Sequence, residues 1–136
     1  MTNNSRSGRR TGEGLGLVDG LLASNSPSHL VVLLGTNDAR DNNGVNTAIS
    51  NMNAIVQKAR AAGVIPVIAT LPANFRSSAE NSAAEQISQG YRGISGAVIA
   101  DVRGALGTNT AYFCDSLHPN DAGQEVITAT FLNAIS

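Results

Sequence analysis

Tryptophan is absent from this sequence, cysteine occurs once, histidine twice, and aromatic residues make up only 4%. Each shortage removes a class of function. The single cysteine, Cys114, leaves no internal disulfide and no multi-cysteine zinc site, so nothing calls for an oxidising compartment. Tyr91, Tyr112, Phe75, Phe113 and Phe131 are too scattered for a base-stacking platform and are expected in the core or in a cleft wall. Charged residues are only 14% with a net charge of -1, which argues against a nucleic-acid-binding surface. Arg6, Arg9 and Arg10 form the one basic cluster, which reads as a solvated N-terminal segment. No apolar run is long enough to cross a bilayer. Residues 1–5 are polar and lack the apolar segment of a secretion signal, so the localisation stays unassigned. There is no Gly-rich dinucleotide fingerprint or phosphate loop, and no cofactor is expected. Of the two histidines, His29 precedes a strand, where an exposed cap-like position suits it better than a metal site.

What is present is an alternation of helical and strand patterns over 136 residues, read as one domain spanning 1–136. Such a length buries about two thirds of the surface exposed by its unfolded chain. Leu15, Val18, Leu21 and Leu22 recur at helical spacing from Thr11 or Glu13 to about Ser24, a pattern weakened by Gly14, Gly16 and Gly20. The apolar run Leu30 to Leu34 predicts a strand covered on both faces. Val45, Ile49, Met52, Val56 and Ala59 predict one face of a helix, with Gly63 as its stop. Val64 to Thr70 predicts a second buried strand, Ser82 to Ile94 a helix, and Ala97 to Val102 a third strand. Residues 103–113 read as a loop with a short strand at Tyr112-Phe113. A closing helix follows, capped by Asn120 or Asp121, with Ala122, Val126, Ile127, Thr130 and Ile135 along one side. This order implies an α/β fold with a parallel sheet, and ligands in such folds bind beyond the carboxyl ends of the strands.

Two polar motifs fall on that edge. In the stretch Cys114-Asp115-Ser116-Leu117-His118-Pro119, a carboxylate stands three residues before a histidine. An imidazole titrates near neutrality, and a neighbouring carboxylate can fix its tautomer and stabilise the imidazolium formed when it takes a proton. The same residues would equally suit a helix cap. In Gly35-Thr36-Asn37-Asp38, Asn37 sits just past a buried strand, where its amide could donate to a developing oxyanion; alternatively, Asn37 and Asp38 bond their own backbone in an Asx-type turn.

Together these motifs resemble the SGNH, or GDSL-like, hydrolase superfamily. Gly35-Thr36-Asn37-Asp38 is similar to its Gly-x-Asn-Asp block, Asp115-x-x-His118-Pro119 to its Asp-x-x-His block, and the segment Asn4 to Thr11, more loosely, to its glycine block. The resemblance implies a three-layer α/β/α, flavodoxin-like parallel sheet in strand order 2-1-3-4-5, and an activity on small-molecule esters. It implies His118 as general base, Asp115 as its orienting group, and Asn37 with Gly8 as oxyanion donors. The loops Ala39 to Gly44 and Leu71 to Ser82, small and polar, would lie over the cleft and suit a short acyl or acetyl group. The family's nucleophile is a serine in a Gly-Asp-Ser block, and no Gly-Asp-Ser occurs here. The chain starts where the second block of a complete relative stands, so the resemblance implies an N-terminally truncated fold. Ser5, Ser7, Cys114 and Ser116 are candidates for the missing nucleophile, with Cys114 expected to be buried and inert. Two functions follow: a short-chain ester hydrolase, or a catalytically inactive truncated α/β module. The strand Leu30 to Leu34 would form an open apolar edge, through which a homodimer is expected.

Overall fold

The structure, a computed structural model, describes residues 10–25, 28–40 and 44–136, with the side chains of residues 24 and 25 excepted. The elements follow in the order α1 (Thr11–Asn25), β1 (His29–Val32), α2 (Gly44–Ala61), β2 (Ile65–Ala69), α3 (Ser78–Arg92), β3 (Val98–Ala100), α4 (Val102–Leu106) and α5 (Asp121–Ala134). Single turns of 3-10 helix lie at Asp38–Arg40 and Thr110–Tyr112. The strands form one parallel sheet in the order β1-β2-β3. Among the described helices, none is long and apolar enough to cross a membrane.

The register sorts the side chains between two faces. Val32, Ile68 and Ile99 pair across the three strands and share one core cluster with Val18 of α1, Met52, Ile55 and Val56 of α2, and Ala84, Ile87 and Tyr91 of α3. Val31, Val67 and Val98 lie on the opposite face, as do Ala69 and Ala100. There Ala69 joins Ala73, Val102 and Leu106 of α4, Phe113, and Ile127 of α5 in a second cluster. Helices therefore cover both faces, giving the three-layer α/β/α arrangement. The crossovers α2 and α3 share one face, as a parallel sheet growing in one direction with crossovers of one hand requires.

Close packing explains two glycines that weaken the helical patterns. A Cβ at Gly14 would collide with Leu34, and one at Gly90 would collide with Ile49. These glycines trade intrinsic helix propensity for close approach of α1 to the end of β1, and of α3 to α2.

Several boundaries differ from the sequence-based expectation. β1 spans His29–Val32 rather than Leu30 to Leu34. α3 begins at Ser78 because the Ser77 side chain accepts a hydrogen bond from the Glu80 N–H at 3.0 Å, an N-cap that the apolar pattern alone does not reveal. The third strand stops at Ala100 because Asp101 caps a helix instead of extending the strand, and Val102 is buried on α4. Residues 110–112 form a helical turn, and Phe113 makes only an isolated antiparallel bridge to Pro119. α5 starts after Asn120 as expected. Of its expected apolar face, only Ile127 is fully buried, and Ile135 lies beyond the helix at 38% exposure.

Candidate active site

The chain reverses just past β1 at Gly35, whose φ of +129° is one that residues with a side chain rarely adopt. A Cβ there would also lie 2.7 Å from the Tyr91 hydroxyl. That hydroxyl, on a fully buried ring, donates to the Leu34 carbonyl at 2.9 Å. Burial, and secondarily the charge of Asp38, push the Tyr91 pKa upward, so it remains a neutral donor.

Asp38 does not bond its own turn. Its carboxylate is 3% exposed and reaches across 27 residues, accepting from the Thr11 N–H at 2.9 Å and from the Thr11 hydroxyl at 2.6 Å. The Asn51 amide in turn donates to Thr11 Oγ1 at 3.1 Å. An anion at the first residue of α1 satisfies a free helical N–H and faces the positive end of the helix dipole. The Asn37 loop is thereby fastened to the start of α1. Asn37 itself is partly buried. Gly8, Ser5 and Ser7 lie outside the described residues.

Asp115 and His118 come together on the turn before α5. Asp115 Oδ1 accepts the backbone N–H groups of Leu117 and His118, both at 2.7 Å, and its two oxygens stand 3.1 and 2.9 Å from His118 Nδ1. One carboxylate thus shapes the turn and holds the ring. The His118 N–H, then the Leu117 N–H, then the His118 ring lower the Asp115 pKa from 3.8 to about 2. His118 Nε2 makes no hydrogen bond among the described residues, and the side chain is 62% exposed. Asn120 is a separate cap, accepting from the Gly123 N–H at 3.0 Å, so capping of α5 falls to Asn120 and the Asp115–His118 pair is additional to it.

Cys114 is exposed, contrary to the expectation of a buried thiol. Alternation at the bridge turns Phe113 inward and Cys114 outward, and the thiol lies 3.3 Å from the His118 carbonyl, within its own turn. Ser116 is also exposed.

Contacts draw the loops after β1 and β2 and the His118 turn to one edge of the sheet. The Phe75 N–H donates to the Ser116 carbonyl at 2.8 Å, and the Phe75 and Phe113 rings meet edge-on with centroids 5.0 Å apart. Glu80 joins the first two loops, pairing with Arg40 at 3.3 Å and with Arg76 at 3.5 Å. The two loops expected over a cleft are not wholly surface, since Ala39, Leu71 and Ala73 are buried in the core. Phe75, at 38% exposed, is their large apolar side chain toward solvent. A cleft of about 360 Å³ lies beside Asp38, lined by residues such as Arg10, Glu13, Thr47 and Asn51; neither Asp115 nor His118 lines it.

Arg103 organises the β2–α3 loop and has no counterpart in the sequence-based reading. Only 12% exposed, it donates to the Leu71 and Pro72 carbonyls at 3.3 and 3.2 Å and to Asn81 Oδ1 at 2.9 Å, and it pairs with Glu85. Its bond lowers the Glu85 pKa. Burial works to raise the Asp101 pKa, but donation from Arg92, Thr70 and Gly104 brings it below the usual value. The only forewarning was an arginine just after a short apolar run, and that pattern is common.

The sequence matches the GDSL-like lipase/acylhydrolase family over residues 1–126. No curated protein matches the chain in sequence. Among solved structures, TesA superposes with a TM-score of 0.83 at 22% identity, covering 99% of this chain and 77% of its own. A GDSL-like lipase from Bacteroides thetaiotaomicron gives a TM-score of 0.78 at 19% identity, over 95% of this chain and 72% of its own. An acetylxylan esterase from Geobacillus stearothermophilus, a catalytic mutant, gives 0.81 at 15% identity, over 96% and 69%. At these identities the likeness establishes the fold alone. With the family match spanning most of its length, the chain belongs to the GDSL-like lipase/acylhydrolase family.

Proposed function

We propose that this chain carries the acid–base and oxyanion parts of an esterase site acting on small acyl or acetyl esters. The observation that supports this most is the grip of Asp115 on both the backbone and Nδ1 of His118, with Nε2 left unbonded among the described residues. In the proposed reaction a hydroxyl oxygen bonds to the ester's acyl carbon as its proton passes to His118 Nε2. The carbonyl oxygen becomes an oxyanion and accepts from the Asn37 amide and the Gly8 N–H. On collapse, the bond to the leaving alcohol breaks and His118 returns the proton to it. Water then repeats the cycle on the acyl intermediate and releases the acid. Asp115 keeps the imidazole oriented and stabilises its protonated form. Apart from Phe75, the exposed side chains described in the loops Ala39 to Gly44 and Leu71 to Ser82 are small or polar, which supports a short acyl group over a long chain.

One observation favours the alternative reading, a catalytically inactive module. Among the described residues, no hydroxyl or thiol is hydrogen-bonded to the His118 ring. Cys114 Sγ instead contacts the His118 backbone carbonyl.

Hydrolysis of p-nitrophenyl acetate by the purified chain, compared with His118→Ala and accompanied by a serine-directed phosphonate probe, separates the two. The esterase reading expects turnover that falls by about 10²-fold or more in the variant, with a labelled serine. Turnover equal in both proteins, with no labelling, would establish the inactive module.

A further inference from the structure

The turn that carries His118 leans on a loop that is itself held by one side chain. Among the described residues, the hydrogen bonds of residues 114–118 lie within the turn, except that the Ser116 carbonyl accepts the Phe75 N–H at 2.8 Å. Ser116 stands between Asp115 and His118 in the chain. The Phe75 ring adds an edge-on contact to Phe113, just before the turn. What fixes residue 75 therefore bears on where the Asp115–His118 pair sits.

The segment between β2 and α3 has no helix or strand of its own to set its shape, so its fastenings are side chains. Ser88, fully buried on α3, accepts the Leu71 N–H at 2.9 Å. The Arg103 guanidinium donates to the Leu71 and Pro72 carbonyls at 3.3 and 3.2 Å, and its other terminal nitrogen donates to Asn81 Oδ1 at 2.9 Å. The same Asn81 oxygen accepts the Asn74 N–H at 3.0 Å. The next N–H along the chain is that of Phe75. A continuous path therefore runs from Arg103 through Asn81, Asn74 and Phe75 to Ser116. The loop does not hold this shape for its own sake: Asn74 Nδ2 is buried with no hydrogen-bond partner among the described residues, which costs free energy that outside bonds must offset. A planar fork of five donors can span two carbonyls and an amide oxygen at once, whereas an ammonium is a point charge with three. Glu85 steadies the fork from its other side.

We propose that Arg103 is a positioning residue for His118: its guanidinium sets the β2–α3 loop, and through the Phe75–Ser116 bond that loop sets the turn holding the imidazole. Arg103 itself bonds neither Asp115 nor His118 among the described residues, so it acts only through the loop. That the positioning serves turnover rests on the esterase reading; the coupling itself does not.

Amide hydrogen exchange of the full chain reads this coupling without requiring turnover. In Arg103→Lys, which keeps a positive charge beside Glu85, the Phe75, Leu117 and His118 amides should exchange at least about tenfold faster than in the native chain, while Val67 and Ile68 of the central strand stay within about twofold. A side chain that only stabilises the fold would instead speed the strand amides, or change nothing once lysine replaces its charge. Asn81→Ala removes the shared acceptor at a helical position that alanine favours, and should free the same three amides. It carries the test if Arg103→Lys does not fold. Native exchange at Leu117 and His118 in the folded variants overturns the proposal, and so does equal acceleration of the strand amides. In p-nitrophenyl acetate hydrolysis, Arg103→Lys should lower kcat about tenfold with KM unchanged. An unchanged kcat in an active chain would overturn the link to turnover. Faster exchange at the three amides, with no hydrolysis by the native chain, would defeat the esterase reading and leave the coupling standing.

Discussion

A carboxylate that accepts two backbone N–H groups and an imidazole cannot take a proton without weakening all three bonds, and this sets the behaviour of Asp115. Its pKa of about 2, against an ordinary 3.8, makes it an anion throughout the range in which an imidazole titrates. The sign follows from the depression. The group's contribution to the turn is fully present above about 3.8 and is lost as pH falls through about 2. We expect the Asp115 carboxyl carbon, and the Leu117 and His118 amides bonded to it, to titrate together in NMR spectra with a midpoint near 2. A midpoint near 3.8 would show that the three bonds do not persist in solution. The pairing of Asp115 with His118 is legible in the sequence because a separation of three residues on a tight turn leaves few other arrangements. The role of Asp38 is not, because its partner Thr11 is 27 positions away and nothing local announces it.

Elements are placed here by such long-range bonds as much as by their own patterns. Asp38 ties the loop after β1 to the first turn of α1, so its loss leaves a buried Thr11 N–H without its acceptor. Asp38→Ala should lower the unfolding free energy by about 1–3 kcal/mol, while Asp38→Asn, which keeps an acceptor oxygen, should lose less. Urea denaturation measures this, with a shifted midpoint and an unchanged slope expected if the fold itself is retained. An Asp38→Ala protein as stable as the native chain would show that the bond carries no net stability. The strands and long helices were legible because apolar periodicity reports burial directly, as in α2, where Met52, Val56 and Ala59 of the expected face are all fully buried. The ends were not, since Ser77 and Asp101 act through capping bonds that end or begin an element irrespective of the apolar pattern.

At the scale of the whole molecule, the two clusters share the sheet, with Ile68 of β2 in one and its neighbour Ala69 in the other. Losing the packing on one face therefore removes support from the other, and the two layers should unfold together. The scarcity of aromatics makes this measurable. Tyr91 lies in the α1–α3 cluster and Tyr112 packs on the α4–α5 cluster, with no tryptophan to obscure either. In Tyr112→Phe, the signal of Tyr91 alone should follow the same urea transition as far-UV circular dichroism. Two separated midpoints would mean that the layers unfold independently.

The sequence by itself determined the alternation of elements, the parallel α/β class, the family and the close pairing of Asp115 with His118, because periodicity and short spacings act locally along the chain. Only the tertiary structure decided that Asp38 anchors α1 and that Arg103 holds the β2–α3 loop. It alone decided that Cys114 faces solvent and that Val31, Leu33 and Ile65 remain exposed beside β1. Each of these depends on which distant groups meet, and that is set by how the layers pack rather than by any residue's neighbours in sequence.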